Sequence, residues 1–236
     1  MKFFTDKTVI NKYLLVKITD YLKMKDFSRW ECVFIDPCVY ELTKSNEYSW
    51  INKIDIEKFL NSLHAGHFFS LDYPCDMNVK YTKLFLNKSW NNAIKYCKFS
   101  QYIITVQSEF NDYNSFISWF DRYNTLEIKS GILGLGNMCR ILYFTDYIRD
   151  TLTYAFKNTK TKRIHIYGLG MRIIPFAYNL ALKYNIELTI DSTKWTRAVN
   201  KELKWKYGYN AKQKDRQIFF DMYLKVIRSK GVKLEN

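Results

Sequence analysis

Residues 163–191 read RIHIYGLGMRIIPFAYNLALKYNIELTID. Two short β-rich runs, RIHIYGLG (163–170) and IELTID (186–191), flank a helical pattern over Ile173–Tyr184 whose apolar residues fall three or four apart. Strands joined through one helix in so short a span run parallel, with a right-handed crossover. The same alternation extends towards the N-terminus. Further strand-like runs are YLLVKI (13–18), CVFID (32–36), HFFSLD (67–72), YIITVQ (102–107) and LEIKSGILGLG (126–136). Helical patterns lie between them at Trp50–Leu63, Tyr81–Tyr96, Tyr113–Tyr123 and Ile141–Phe156, and a last one, Arg216–Arg228, closes the chain. Seven strands are legible, and an eighth is sought near Trp205–Tyr209. The pattern fits a compact or incomplete (β/α)8 TIM-type barrel or an open doubly wound sheet. Polar residues at strand ends break the tie. Asp36, Asp72, Gln107, Gly136, Gly168 and Asp191 all close predicted strands, and only a barrel gathers such ends on one face.

The 236 residues suit a single barrel domain, 1–236, with a basic aromatic-rich segment at 194–216 and a C-terminal helix at about 216–229. A hydrophobic share of 47% and a charged share of 25% exclude disorder as the main state. Only 8 Gly and 3 Pro exclude a collagen-like or linker-rich chain. Aromatic residues are in excess at 18%. Against 23 Asp and Glu stand 37 Lys and Arg, so the expected partner is a polyanion. Five widely spaced cysteines form no CxxC pair, which predicts reduced thiols in a cytoplasm and no metal site. The N-terminal apolar run is broken by Lys17 and Asp20, so neither a signal peptide nor a membrane span is expected.

Two Gly-x-Gly pairs, Gly134–Gly136 and Gly168–Gly170, lack the third glycine of a dinucleotide fingerprint, because Cys139 and Ile173 stand there. Close backbone approach at a strand end is the better reading. Asp36, Asp72 and Asp191 follow apolar runs directly. A single such Asp usually caps a helix or forms a turn, but three on one barrel face suggest a carboxylate site. Asp76 is a fourth candidate. Gln107 offers both a donor and an acceptor, which suits a purine edge. His165, between Ile164 and Ile166, reads as a buried, hydrogen-bonded core histidine. From Lys194 to Arg216 run eight basic residues against two acidic ones, interleaved with Trp195, Trp205, Tyr207 and Tyr209. Cations neutralise phosphates and aromatic faces stack on unpaired bases, so Lys194, Trp195, Arg197, Lys201, Lys204 and Lys206 are the expected nucleic-acid contacts.

The order of these motifs resembles the tRNA-guanine transglycosylase superfamily, and is most similar to its compact DNA-deazapurine-modifying branch of phages and mobile islands. The resemblance runs from about Phe34 to Arg197. Phe34-Ile35-Asp36-Pro37-Cys38-Val39-Tyr40 stands where the family has Asp-Ser-Gly-Gly-Phe/Tyr, with the Ser and both glycines replaced. Leu71-Asp72-Tyr73-Pro74-Cys75-Asp76 resembles the next strand end, and Thr105-Val106-Gln107 resembles the family's base-recognition glutamine segment. Leu133-Gly134-Leu135-Gly136 with Cys139-Arg140 is similar to the branch's Gly-Val-Gly…Cys-Arg. His165-Ile166-Tyr167-Gly168 resembles His-x-Phe-Gly, and Thr189-Ile190-Asp191-Ser192 with Trp195 resembles Asp-Ser…Trp.

The resemblance implies a glycosyltransferase that exchanges guanine in nucleic acid for a free 7-deazaguanine base, without a cofactor. Asp191 is then the nucleophile and Asp36 the acid/base. Asp72, with Asp76 as alternative, and Gln107, Gly134, Gly136 and Gly168 bind the base, with Met138 or Tyr167 stacked on it. The family's Cys-x-Cys-x-x-Cys…His zinc motif has no counterpart here, and no residues are left for an added RNA-binding domain. Both points favour DNA over tRNA, in a cytoplasm, the host's if the protein is viral. Two other readings stay open: a non-catalytic nucleic-acid-binding barrel, and a metal-dependent phosphoesterase using Asp36, Asp72 and Asp191.

Overall fold

The structure, a computed structural model, describes residues 1–5, 11–38, 54–63, 66–73, 75, 82–136, 138, 145–191 and 213–235. Strands and helices alternate among them: β1 (Lys2–Phe4), β2 (Tyr13–Lys17), α1 (Ile18–Tyr21), β3 (Cys32–Asp36), α2 (Ile56–Ser62), β4 (His67–Phe69), α3 (Thr82–Tyr96), β5 (Tyr102–Val106), α4 (Tyr113–Tyr123), β6 (Ile132–Leu135), α5 (Asp146–Asn158), β7 (Arg163–Ile166), α6 (Ile174–Tyr184), β8 (Glu187–Asp191) and α7 (Gln213–Arg228). The eight strands form one all-parallel sheet in the order β1-β8-β7-β6-β5-β4-β3-β2. Its two end strands meet at a parallel bridge between Thr5 and Leu14, where Leu15 N–H donates to Thr5 O at 2.7 Å. The result is a nearly closed α/β barrel of the TIM type.

The eighth strand is β1, at the N-terminus. Trp205–Tyr209, where it was sought, lies outside the described residues. A three-residue strand shows no period, and distant partners hold this one. Phe3 packs against Phe220 and Tyr223 of α7, with centroids 5.8 and 5.7 Å away, and the Met1 ammonium bonds Lys233 O and Glu235. Other boundaries move for local reasons. The run 126–136 pairs only over Ile132–Leu135, because the chain turns at Gly131, φ 66°. Capping side chains start three helices: Asp55 accepts from Lys58 N–H, Asp112 from Ser115 N–H and Thr145 from Ile148 N–H. Pro175 sits in the first turn of α6, and Asn185, left-handed at φ 54°, ends that helix.

Alternate residues along each strand divide the core in two. Leu14, Val33, Ile104, Leu133, Ile164 and Leu188 pack outward with the helices. Phe4, Tyr13, Phe34, Phe69, Ile103 and Ile132 fill the barrel interior. This interior absorbs part of the aromatic excess. Phe4 and Phe34 stack at 3.8 Å and 10°, and Phe69 meets Phe34 edge-on at 5.1 Å. Each such pair contributes about 0.5–1.5 kcal/mol beyond its burial.

Ion pairs occupy the end where the strands begin. Glu187 binds the Lys2 ammonium at 2.6 Å and Arg163 Nε at 2.7 Å. Burial alone would raise the Glu187 carboxyl, but the Lys2 hydrogen bond and the Arg163 charge outweigh it and hold the group below its ordinary 4.5. Glu187→Gln leaves two half-buried cations facing each other, and should lower stability by about 1–2 kcal/mol at neutral pH. A depressed carboxylate stabilises the fold above its unfolded pKa and loses that effect as pH falls through the folded one. The wild-type advantage in thermal melts should therefore be full at pH 7 and shrink below about pH 4.5.

Candidate active site at the carboxyl mouth of the barrel

Parallel strands bring their last residues to one rim. Asp36 ends β3 and Asp191 ends β8, Gln107 and Gly136 follow β5 and β6 directly, and Asp72 and Gly168 lie within three residues of β4 and β7. None of the three strand-end aspartates caps a described helix. Asp36 is a turn former: its Oδ1 accepts Cys38 N–H at 2.7 Å. Cys38 has φ 60°, a left-handed backbone in which glycine is favoured.

Asp191 is 7% exposed, and both of its carboxylate oxygens have protein partners. Gly168 N–H donates to Oδ1 at 2.6 Å, and His165 Nε2 lies 3.3 Å from Oδ2. Gly168 makes this approach with φ 59°, which explains the glycine two residues past β7. His165 is fully buried, and its Nδ1 lies 3.0 Å from Thr189 Oγ1 on the neighbouring strand. His165 is thus the buried, bonded histidine expected, and one partner is the candidate nucleophile.

Across the mouth, the loop after β4 is tied down at three points. Leu71 N–H donates to Tyr102 OH at 2.9 Å, Asn92 Nδ2 donates to Leu71 O at 2.7 Å, and Tyr73 N–H donates to Ser89 Oγ at 2.7 Å. Asp72 therefore has a fixed position. It accepts from Ser70 Oγ at 3.1 Å and from Gln107 Nε2. Burial pushes the Asp72 carboxyl up to about 6; those two hydrogen bonds pull it back, and the Asp36 charge adds to the rise. Gln107 is 3% exposed, and its Oε1 has no partner among the described residues. A buried acceptor of this kind can take one further donor.

Tyr167 joins the two halves. Its hydroxyl bonds Thr105 Oγ1 at 2.8 Å, and its ring lies 4.6 Å from Phe69 and 4.7 Å from His165. The phenol is pushed well above its usual range, first by burial, then by Asp72, Asp191 and Asp36. The charges of all three carboxylates thus act on one hydroxyl. Tyr167 is partly exposed, whereas Met138 is 1% exposed within the outer core and offers no free stacking face.

The two glycines of β6 make room for these neighbours. A Cβ on Gly134 would lie 2.8 Å from the Tyr167 ring, and one on Gly136 would lie 2.6 Å from Gln107 Cδ. The close approach expected at Gly134 and Gly136 is thus made by side chains of the site itself. Asp76, Lys194, Trp195, Arg197, Lys201, Lys204 and Lys206 lie outside the described residues. Among the described residues no three His, Cys, Asp or Glu side chains group to hold a metal ion, and no helix is long and apolar enough to cross a membrane.

Sequence reading did not assign His165, Thr189, Ser70 or Thr105 to the site. A signal for the first two was present. Arg163, His165 and Tyr167, like Glu187, Thr189 and Asp191, alternate with Ile or Leu, and in a barrel strand that alternation points polar groups inward. No protein-family model, curated protein or solved structure matches the chain.

Gly136→Ala must displace the Gln107 amide, and should cost about 1–3 kcal/mol in chemical denaturation. Asp72→Asn tests the raised carboxyl. An acid whose folded pKa is raised stabilises the fold below its unfolded pKa and loses that contribution as pH rises through the folded value. Wild-type stability should fall between pH 4 and about pH 6, while Asp72→Asn lacks that fall and melts higher at pH 8, by about 1 kcal/mol.

Proposed function

We propose that the protein is a nucleic-acid transglycosylase that exchanges guanine for a 7-deazaguanine base, with DNA favoured over tRNA. The observation that carries this reading is the pairing, in one mouth, of a doubly held carboxylate at Asp191 with the Asp72–Gln107 pair and its open acceptor. The motif order from Phe34 to Arg197, similar to that of the tRNA-guanine transglycosylase superfamily, supports it, as does the net charge of +14.

The chemistry follows from these groups. The target base leaves the stack and enters the mouth, at a cost of about a few kcal/mol. Guanine offers N1–H and its exocyclic amine as adjacent donors, which suit the Asp72 carboxylate and Gln107 Oε1. An Asp191 oxygen attacks the anomeric carbon. The C1′–N9 bond breaks, its electron pair passes to the base, and Asp36, entering this step as the carboxylic acid, supplies the proton and is left as the carboxylate. The incoming base then attacks the same carbon, gives its proton to Asp36 and releases Asp191. Two displacements retain configuration. The basic, aromatic segment at 194–216 would carry the phosphates and flanking bases.

The test is covalent trapping. Wild-type protein incubated with a labelled guanine-containing oligonucleotide, DNA or tRNA, should give a denaturation-resistant adduct that a free 7-deazaguanine base resolves. Asp191→Asn should give none, and its base exchange should drop by at least about 10³-fold while its melting curve is kept. Exchange by Asp191→Asn at the wild-type rate would remove the nucleophile assignment. Tight binding with no adduct from wild type would instead make the protein a binding module.

A further inference from the structure

His165 lies wholly inside the barrel, 0% exposed, and both ring nitrogens are engaged. We propose that His165 is the positioning residue of Asp191: its Nε2–H, fixed by the Thr189 hydroxyl at Nδ1, holds carboxylate oxygen Oδ2 while Gly168 N–H holds Oδ1. This role rests on the transglycosylase reading of Asp191.

The proton inventory decides the tautomer. A carboxylate only accepts, so the 3.3 Å contact from Nε2 to Asp191 Oδ2 requires the hydrogen on Nε2. In a neutral ring Nδ1 is then an acceptor. Thr189 Oγ1 lies 3.0 Å from Nδ1 and 3.4 Å from Ile164 O, so its single proton goes to the nearer atom. The chain Thr189 to His165 to Asp191 thus runs in one direction and ends on the nucleophile. Aromatic walls keep the ring from turning: Phe69 at 4.9 Å, Phe34 at 5.2 Å and Tyr167 at 4.7 Å.

The arrangement serves a carboxylate that must attack and later leave. One fixed donor on each oxygen keeps the group from rotating and leaves lone pairs free for the anomeric carbon. The same donors receive the returning charge when the ester breaks, so they act on both half-reactions without giving up a proton.

Two measurements test the role. Histidine-selective 15N NMR of the wild-type protein needs no substrate. It should show His165 as the Nε2–H tautomer, with the Nε2 signal moving in Asp191→Asn. A neutral Nδ1–H tautomer would overturn the proposal. Single-turnover adduct formation with a labelled oligonucleotide is the second. His165→Phe keeps the ring packing but removes the donor, and should slow adduct formation about 10²-fold with oligonucleotide affinity unchanged. His165→Gln, which restores a donor, should recover part of that loss. An active wild type with an unimpaired His165→Phe overturns only the role of His165. An inert wild type overturns the transglycosylase reading and this role together.

Discussion

The Phe4–Phe34 stack, 3.8 Å apart in the middle of the barrel, is the contact on which the rest leans. The strands are three to five residues long, so backbone pairing alone gives each few hydrogen bonds. A large apolar fill compensates. Phe69 extends the stack, and His165 and Tyr167 rest on it. Because side chains alternate with a period of two, packing Phe4, Phe34 and Phe69 inward also fixes what faces inward one step along each strand. On β3 that is Asp36, and on β8 the matching inward residue is Asp191. A one-residue slip would turn these carboxylates towards the helices.

Polar groups sit at both ends of this plug and are handled differently. At the end where the strands begin, Glu187 meets two cations, and the ion pairs hold its carboxyl below its ordinary range. At the mouth the contacts are of another kind, and His165 meets Asp191 as a hydrogen-bond partner. Neutral donors serve these carboxylates: Gly168 N–H, Cys38 N–H, Ser70 and Gln107. Burial raises the Asp72 carboxyl to about 6, and the Asp36 charge adds to the rise. The two ends of one barrel thus hold carboxylates of opposite behaviour, Glu187 lowered by its cations and Asp72 raised by burial.

The glycines of β6 show how closely fold and site are joined. Gly134 lies under Tyr167 and Gly136 under Gln107, so a methyl group at either position would displace a site residue. Gly168 differs: its backbone conformation delivers an N–H to Asp191. In the proposed reaction the Gln107 Oε1 atom, which has no partner among the described residues, is the acceptor offered to the base.

By itself the sequence determined the alternation of strands and helices, the parallel barrel that follows from it, and the rim on which Asp36, Asp72, Gln107, Gly136, Gly168 and Asp191 stand. Those conclusions need only local periodicity and the rule that parallel strands end on one face. Tertiary structure alone decided the rest. β1 is three residues long and is held by α7 from the far end of the chain, so no local pattern marks it. The Gln107–Asp72 bond spans 35 residues and the His165–Asp191 contact 26. Sequence pattern places such residues on a face, but the partner of each polar atom depends on which strands become neighbours and in what register. That is why His165 reads from its apolar flanks as core, and becomes the partner of Asp191 only once β7 lies beside β8.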